Sequence, residues 1–385
     1  MTGIRLGYAC VNTQLTSPAR TARLSNVTDE RISELVDANL GALEVILRWN
    51  RSRGIQVFRL TSNLIPFGSH PANTLPWWGV FADRLARLGR LMRSAGMRIS
   101  THPGQYIVLS STREDVVAAA VAELGHHDRL LSAFGLDRSH KIVLHLGAGV
   151  ADPRAAYDRF AAGYARLSPG AAGRLVLEND ERWPLDTTLD WAERLGLPVV
   201  FDAFHHELAP SMEPLAVREL VLRAAETWTP RDGRQEVHFS TQAPGKRPGA
   251  HAETIDVDAF ARFAEDVGDL PLDCILEVKD KERSVLRARD RPCSARCSSP
   301  AREPGGHFRT PPTDWRYPCA PCSREPARWA HPTPMRCPLS DRRDSAAGST
   351  SRHASRGYRR RGRESSPRAS AGSSDSDPRS TPCLR

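Results

Sequence analysis

Residues 173–206 read GRLVLENDERWPLDTTLDWAERLGLPVVFDAFHH, and this stretch decides the fold. A short apolar run at 173–178 is followed by an amphipathic segment over about 186–195 and a second apolar run at 197–202. Neither run alternates with polar residues, so each predicts a strand buried on both faces, as in a parallel sheet covered by helices. Each run ends on a carboxylate, Glu178 or Asp202. The same unit recurs in both directions with a period of about 30–40 residues. Strands are expected at 4–10, 55–61, 97–102, 141–146, 173–178, 197–202, 235–240 and 272–278. Helices are expected at about 29–50, 76–95, 113–135, 152–166, 186–195, 212–227 and 256–266. Eight such strands predict an α/β fold, a closed (β/α)8 barrel of the TIM type. No Gly-rich phosphate fingerprint follows the first strand, which argues against an open dinucleotide-binding sheet.

The texture changes after Arg287. Residues 291–385 contain no Ile or Val, only two Leu, and 14 of the 29 Pro. Such a segment cannot bury enough apolar surface to offset its ordering entropy. The sequence therefore divides into a barrel, 1–287, and an Arg/Ser/Pro-rich tail, 288–385, expected to be disordered and readable as an out-of-frame end. The tail begins where an eighth helix should run, so that helix is expected to be truncated. The formal net charge is +9, but 291–385 hold 19 Arg, no Lys and 8 acidic residues, leaving −2 for the rest. Global basicity is therefore no argument that the barrel binds a polyanion. Six of the eight Cys also lie beyond residue 291. Cys319 and Cys322 have zinc-knuckle spacing, with Cys293 and Cys297 as a second half, but no periodic apolar residues accompany them. The run 351–364 is Arg-rich enough to bind nucleic acid as an unfolded segment. The cysteine-poor barrel, the absence of a long apolar run at the N-terminus and the lack of any apolar stretch of membrane length lead to the expectation of a cytoplasmic, monomeric protein with no membrane partner.

In such a barrel, chemistry sits at the C-terminal ends of the strands. Here those ends carry Tyr8 and Asn12, His70, His102, His145, Glu178, Asp202 with His205, His238 with His251, and Glu277. Imidazole mixed with carboxylate suits Mn or Zn better than Mg or Ca. The number of groups exceeds what one cation can use, so two or three clustered ions are expected, of the kind that activate a water and clamp a phosphodiester.

The segments GYACVN (7–12), SNLIPFGSH (62–70), STHPGQY (100–106), LHLGAG (144–149), LEND (177–180), FDAFHH (201–206), VHFSTQAPGKRPGAH (237–251) and LEVKDKE (276–282) together resemble the UV damage endonuclease family, over residues 4 to about 287. That family is itself similar to endonuclease IV and the xylose isomerase-like barrels. The resemblance implies incision of UV-damaged double-stranded DNA immediately 5′ to cyclobutane dimers and 6-4 photoproducts, with Mn-type ions, leaving a 3′-hydroxyl and a 5′-phosphate. It implies His70, His102, His145, Glu178, Asp202, His205, His238, His251 and Glu277 as metal ligands. Glu178 would bridge two ions; Asp202, His238 and Glu277 would complete the second, and His205 with His251 would hold a third. Glu178, Glu277, Asp202 and His238 form the expected catalytic set.

One position departs from the pattern. Where the family usually has Lys, two residues before His238, this chain has Glu236. Alternation puts 236 and 238 on one face of the strand, so Glu236 is expected beside the third ion. The resemblance gives Gln105 and Tyr106 the role of a wedge that probes the lesion, with Tyr8 and Asn12 across the same groove. Lys246 and Arg247 in the loop 242–251 are expected on phosphates, as are Lys279 and Lys281 after the last strand. Three other readings compete: an abasic-site endonuclease, a sugar isomerase or epimerase on the same kind of barrel, and a non-enzymatic nucleic-acid binder acting through the Arg-rich tail.

Overall fold

The computed structural model describes residues 3–147 and 152–290. The expectations placed on the tail, its disorder and its zinc-knuckle cysteines and Arg-rich run among them, lie outside the described residues.

Eight strands, β1 (Ile4–Cys10), β2 (Val57–Leu60), β3 (Arg98–Thr101), β4 (Lys141–His145), β5 (Leu175–Glu178), β6 (Val199–Asp202), β7 (Gln235–Phe239) and β8 (Leu272–Leu276), pair in parallel in sequence order. β8 returns to β1, with Leu272 opposite Ile4 and Leu276 opposite Tyr8, so the barrel closes. Gly7 permits the β1–β2 contact, because a Cβ there would lie 2.1 Å from the Val57 carbonyl oxygen.

The helices are α1 (Asp29–Ser52), α2 (Trp77–Val80), α3 (Ala82–Ser94), α4 (Glu114–Ala133), α5 (Pro153–Tyr164), α6 (Pro169–Arg174), α7 (Leu185–Leu195), α8 (Ala203–Leu208), α9 (Val217–Ala225), α10 (Val257–Val267) and α11 (Glu282–Asp290). In α1 the buried residues Ile32, Leu35, Val36, Leu40, Leu43 and Leu47 recur at helical spacing, and the Thr28 side chain caps the first turn by accepting from the Arg31 N–H.

Strand alternation separates two interiors. Leu6, Tyr8, Phe58, Leu60, Ile142, Leu144, Leu177 and Phe201 join the large apolar layer between strands and helices. Their neighbours face the barrel axis, where apolar packing is confined to two small clusters, Ala9–Val57–Ile275 and Val143–Val176–Val200. The rest of the axis is polar. At its N-terminal end Arg5 makes a bidentate pair with Asp273, at 2.6 and 2.7 Å.

The expected truncation of the eighth helix is corrected in part. α11 runs across the expected boundary at 287 to Asp290, with Val285 and Ala288 buried. Its first residue, Glu282, is fully buried and accepts from Thr13 N at 2.8 Å, Thr13 Oγ1 at 2.6 Å and Gln14 Nε2 at 3.2 Å. These bonds tie the last helix to the loop after β1. Other boundaries move for local reasons. Ser168 caps α6 through the Ala171 N–H, so β5 begins at Leu175 rather than 173. The helix expected from 212 begins at Val217.

Candidate metal centre

Inward-facing residues at the C-terminal ends of six strands converge on one mouth. Two sets of donor atoms, each set within 4.8 Å, can be drawn there: His102–His145–Glu178, and Glu178–Asp202–His238–Glu277. Glu178 belongs to both. Its Oε2 lies 2.7 Å from His102 Nε2 and 3.6 Å from His145 Nε2, while its Oε1 lies 2.6 Å from His238 Nδ1. The same His238 Nδ1 is 3.5 Å from Glu277 Oε1 and 3.8 Å from Asp202 Oδ2.

Local structure aims these groups. His102 Nδ1 stands 3.0 Å from the Pro103 carbonyl, which accepts its proton and leaves Nε2 facing Glu178. Asp202 caps α8, its Oδ1 accepting from the His205 N–H at 2.7 Å, and its backbone is clamped by both ends of the Asn179 amide, at 2.9 and 3.0 Å. Its other oxygen, Oδ2, is buried with no hydrogen-bond partner, as is His251 Nδ1, while His205 Nδ1 lies 3.4 Å from Glu181 Oε2. Buried unpaired acceptors of this kind are costly unless something neutralises them, and a cation fits that requirement.

The electrostatics agree. Burial pushes the Glu178 carboxyl up, but His238, His145 and His102 outweigh it and hold the group well below the usual carboxylate range. Asp202 moves the other way, raised by burial and then by Glu178 and Glu277 against the pull of His205. Burial lowers His145, but Glu178 and Asp180 overcome it and lift the imidazole to about 9. Crowded carboxylates and imidazoles with opposed shifts are what a cation would rearrange.

His205 and His251 lie beside this cluster without completing a third compact set among the described residues. Their rings are 6.0 Å apart, His205 is 5.6 Å from the His145 ring, and His251 Nε2 is 3.7 Å from Glu277 Oε2. His70 is exposed, accepts from the Ala72 N–H and joins neither set.

Glu236 shares the inward face with His238 as alternation requires and stands against His238 Nε2 at 3.2 Å, on the other side of the ring from Glu178. Tyr8 and Asn12 do not face the mouth. Tyr8 is 0% exposed, points outward under α1 and donates to Asn50 Oδ1 at 2.7 Å, while Asn12 donates to the Tyr8 oxygen. Gln105 and Tyr106 do project from the loop after β3, with Tyr106 79% exposed, and Lys246 and Arg247 are exposed on theirs. Lys279 is also exposed but reaches back to Glu253 at 2.5 Å.

Arg59 was not anticipated. It is buried at the end of β2, with Nη1 2.5 Å from Glu277 Oε1 and Nη2 2.6 Å from His238 Nε2. The signal was in the run IQVFRLT: if Val57 faces the axis, Arg59 must too. Two helical histidines, His126 and His127, are structural. His126 packs edge-on against Trp77, and His127 pairs with Glu123 one turn earlier.

Residues 4–294 match the UV-endonuclease UvdE family. The UV DNA damage endonuclease of Clostridium perfringens is 34% identical over 74% of this chain and 69% of its own length. The UV-damage endonuclease of Neurospora crassa is 31% identical over 73% of this chain, which spans half of that protein. The solved structure of SacUVDE is similar with a TM-score of 0.70 and 36% identity, covering 74% of this chain and 96% of that one.

Proposed function

The chain belongs to the UV damage endonuclease family, and from that premise we propose that it hydrolyses the phosphodiester immediately 5′ to UV photoproducts in duplex DNA, using two or three clustered divalent cations, Mn first and Zn second. The observation that carries this reading is the pair of donor sets sharing Glu178 at one barrel mouth, with an exposed Gln105–Tyr106 tip on the loop that follows His102.

His102, His145 and Glu178 would hold one ion and Glu178, Asp202, His238 and Glu277 another; His205 and His251 flank a third position. Ions so held supply Lewis acidity and a water acidic enough to attack at neutral pH. The chain's own residues do the rest. Tyr106 offers a ring to replace lost stacking, and the Gln105 amide offers hydrogen bonds to unpaired base edges. Lesions that already weaken pairing cost less to extrude, which gives selectivity without a base-specific pocket. Lys246 and Arg247 would contact phosphates, local charges in a barrel that has no net positive charge of its own. His126, His127 and His140 take no part. The protein is read as a cytoplasmic monomer; among the described residues no helix is long and apolar enough to cross a membrane.

The test is incision by the full chain of three duplexes, carrying one cyclobutane dimer, one abasic site or no lesion, with and without chelator. Chelator-sensitive nicking immediately 5′ to the dimer is expected. Preference for the abasic duplex would favour the abasic-site reading instead.

A further inference from the structure

The N-terminal face of the barrel, opposite the metal mouth, carries a cavity of about 580 Å³. Leu175 at the start of β5, with Leu197 and Pro198 just before β6, gives it a buried apolar wall. Arg138, from the loop before β4, and Arg231, from the loop before β7, also line it, and both are exposed. Among the described residues neither guanidinium has an ion-pair partner. Tyr164, at the end of α5, adds a hydroxyl; burial raises its pKa and the nearby Arg138 charge pulls it back. The one carboxylate in the lining, Asp232, is already consumed. Its Oδ1 accepts from Lys141 Nζ at 2.5 Å, and its Oδ2 accepts from Thr229 N at 3.0 Å and Thr229 Oγ1 at 2.5 Å. Lys141 is itself fully buried. Burial pushes its ammonium down and Asp232 draws it up, but Arg98 and Arg138 add to the fall, which ends at about 8. Lys141, Arg138 and Arg231 thus crowd around one carboxylate, and an added anion would relieve them.

We propose that this cavity is a second binding site, for a small phosphate monoester of nucleoside monophosphate size, with Arg138 and Arg231 on the phosphate and the apolar wall against the body of the ligand. A phosphate monoester carries close to two negative charges at neutral pH, which matches two unpaired guanidiniums. Planar guanidinium forks grip phosphate oxygens in pairs, and the Tyr164 hydroxyl is a further donor. A carboxylate ligand would answer only one of the two charges. The volume lies within the range of small-molecule sites, which set a few polar groups against an apolar lining. Asp232 does not repel the ligand, because Lys141 and Thr229 hold both of its oxygens. The site stands at the opposite ends of the strands from Glu178 and its neighbours, so it needs no metal ion and its fate is separate from that of the incision reading.

The probe is adenosine 5′-monophosphate, titrated calorimetrically into the full chain after chelator treatment, so that no ion at the mouth can hold the phosphate. Adenosine and inorganic phosphate are the comparison ligands. The nucleotide should bind, inorganic phosphate should bind more weakly, and adenosine should not bind. Arg138→Gln and Arg231→Gln, both at exposed positions that leave the core intact, should each weaken the nucleotide by about 10-fold or more. In wild type the bound nucleotide should move the Lys141 titration, followed by NMR of its side chain, above about 8, a readout that places the ligand at this face without any variant. No binding at millimolar nucleotide, wild-type affinity in both variants, or an unmoved Lys141 would overturn the site. Adenosine or inorganic phosphate binding as tightly as the nucleotide would overturn the assignment of a phosphate monoester.

Discussion

Replacing Glu282 by Ala should loosen the seam that closes the barrel. The carboxylate is fully buried and accepts three hydrogen bonds from Thr13 and Gln14, at 2.8, 2.6 and 3.2 Å. The two short bonds come from Thr13. Bonds to a charged group contribute about 1.5–3 kcal/mol each, and a buried donor left without a partner costs about 1–3 kcal/mol. The Thr13 hydroxyl can rotate away, but its backbone N–H cannot. The expected cost is therefore about 3–5 kcal/mol, a large part of the ~5–15 kcal/mol that holds a domain folded. Glu282→Gln keeps one acceptor and should cost about half as much. Urea unfolding followed by circular dichroism on chelator-treated protein reads the loss. A double-mutant cycle with Thr13→Ser, which keeps the donors, and Thr13→Val, which deletes the hydroxyl, separates the side-chain bond, with about 1–2 kcal/mol of coupling expected. A loss under about 1 kcal/mol in Glu282→Ala, or no coupling to Thr13, would refute the assignment of this residue as the clasp between α11 and β1.

Three further outcomes are expected. Tyr106→Ala should leave fold and metal content unchanged, because the ring is 79% exposed, yet weaken dimer binding by about 1–3 kcal/mol, the worth of one base–aromatic stack, as read by titration with damaged and undamaged duplex. Gly68→Ala should destabilise by about 1–3 kcal/mol in thermal unfolding, because a Cβ there would meet the buried His126 ring at 2.1 Å. His140, whose Nδ1 accepts from the Ile99 N–H, is pushed by burial from 6.5 to about 4. Its folded value lies below its unfolded one, so its contribution is present above pH 6.5 and is lost as pH falls toward 4; by pH 5 about 2 kcal/mol should be gone. Metal-free His140→Asn should show a shallower loss between pH 7 and 5 than wild type, and identical slopes would reject the cause.

The barrel was legible because each parallel strand is apolar on both faces and is followed by an amphipathic helix. The same property hid which face of a strand looks inward. In IRLGYAC, Leu6 and Tyr8 alternate with Gly7 and Ala9, and pattern alone does not say which pair lines the axis. The pattern therefore allows Tyr8 at the mouth and by itself gives no sign that Arg59 on β2 faces the axis. Short helices escaped for a different reason. α8 has six residues, fewer than two turns, so AFHHEL reads as a loop although its Asp202 cap is what orients His205. α11 was underestimated because few of its nine residues are apolar and buried, Val285 and Ala288 among them, in a run otherwise rich in charge. Within the mouth, the residues directly at strand ends (His102, His145, Glu178, Asp202, His238 and Glu277) were readable. His70 stands ten residues beyond β2 and joins neither compact set, because loop geometry is not written in spacing.

Glu178 is the one group shared by both donor sets, so Glu178→Gln probes the centre most directly. The measurement is single-turnover incision of a duplex carrying one cyclobutane dimer, by Mn-loaded wild type and Glu178→Gln at matched fold content. The account predicts one nick immediately 5′ to the dimer with a 3′-hydroxyl end in wild type, and in the variant loss of at least one ion with cutting reduced by about 100-fold or more. A well-folded, metal-loaded wild type that leaves the duplex intact, or a variant that cuts as fast as wild type, would contradict it.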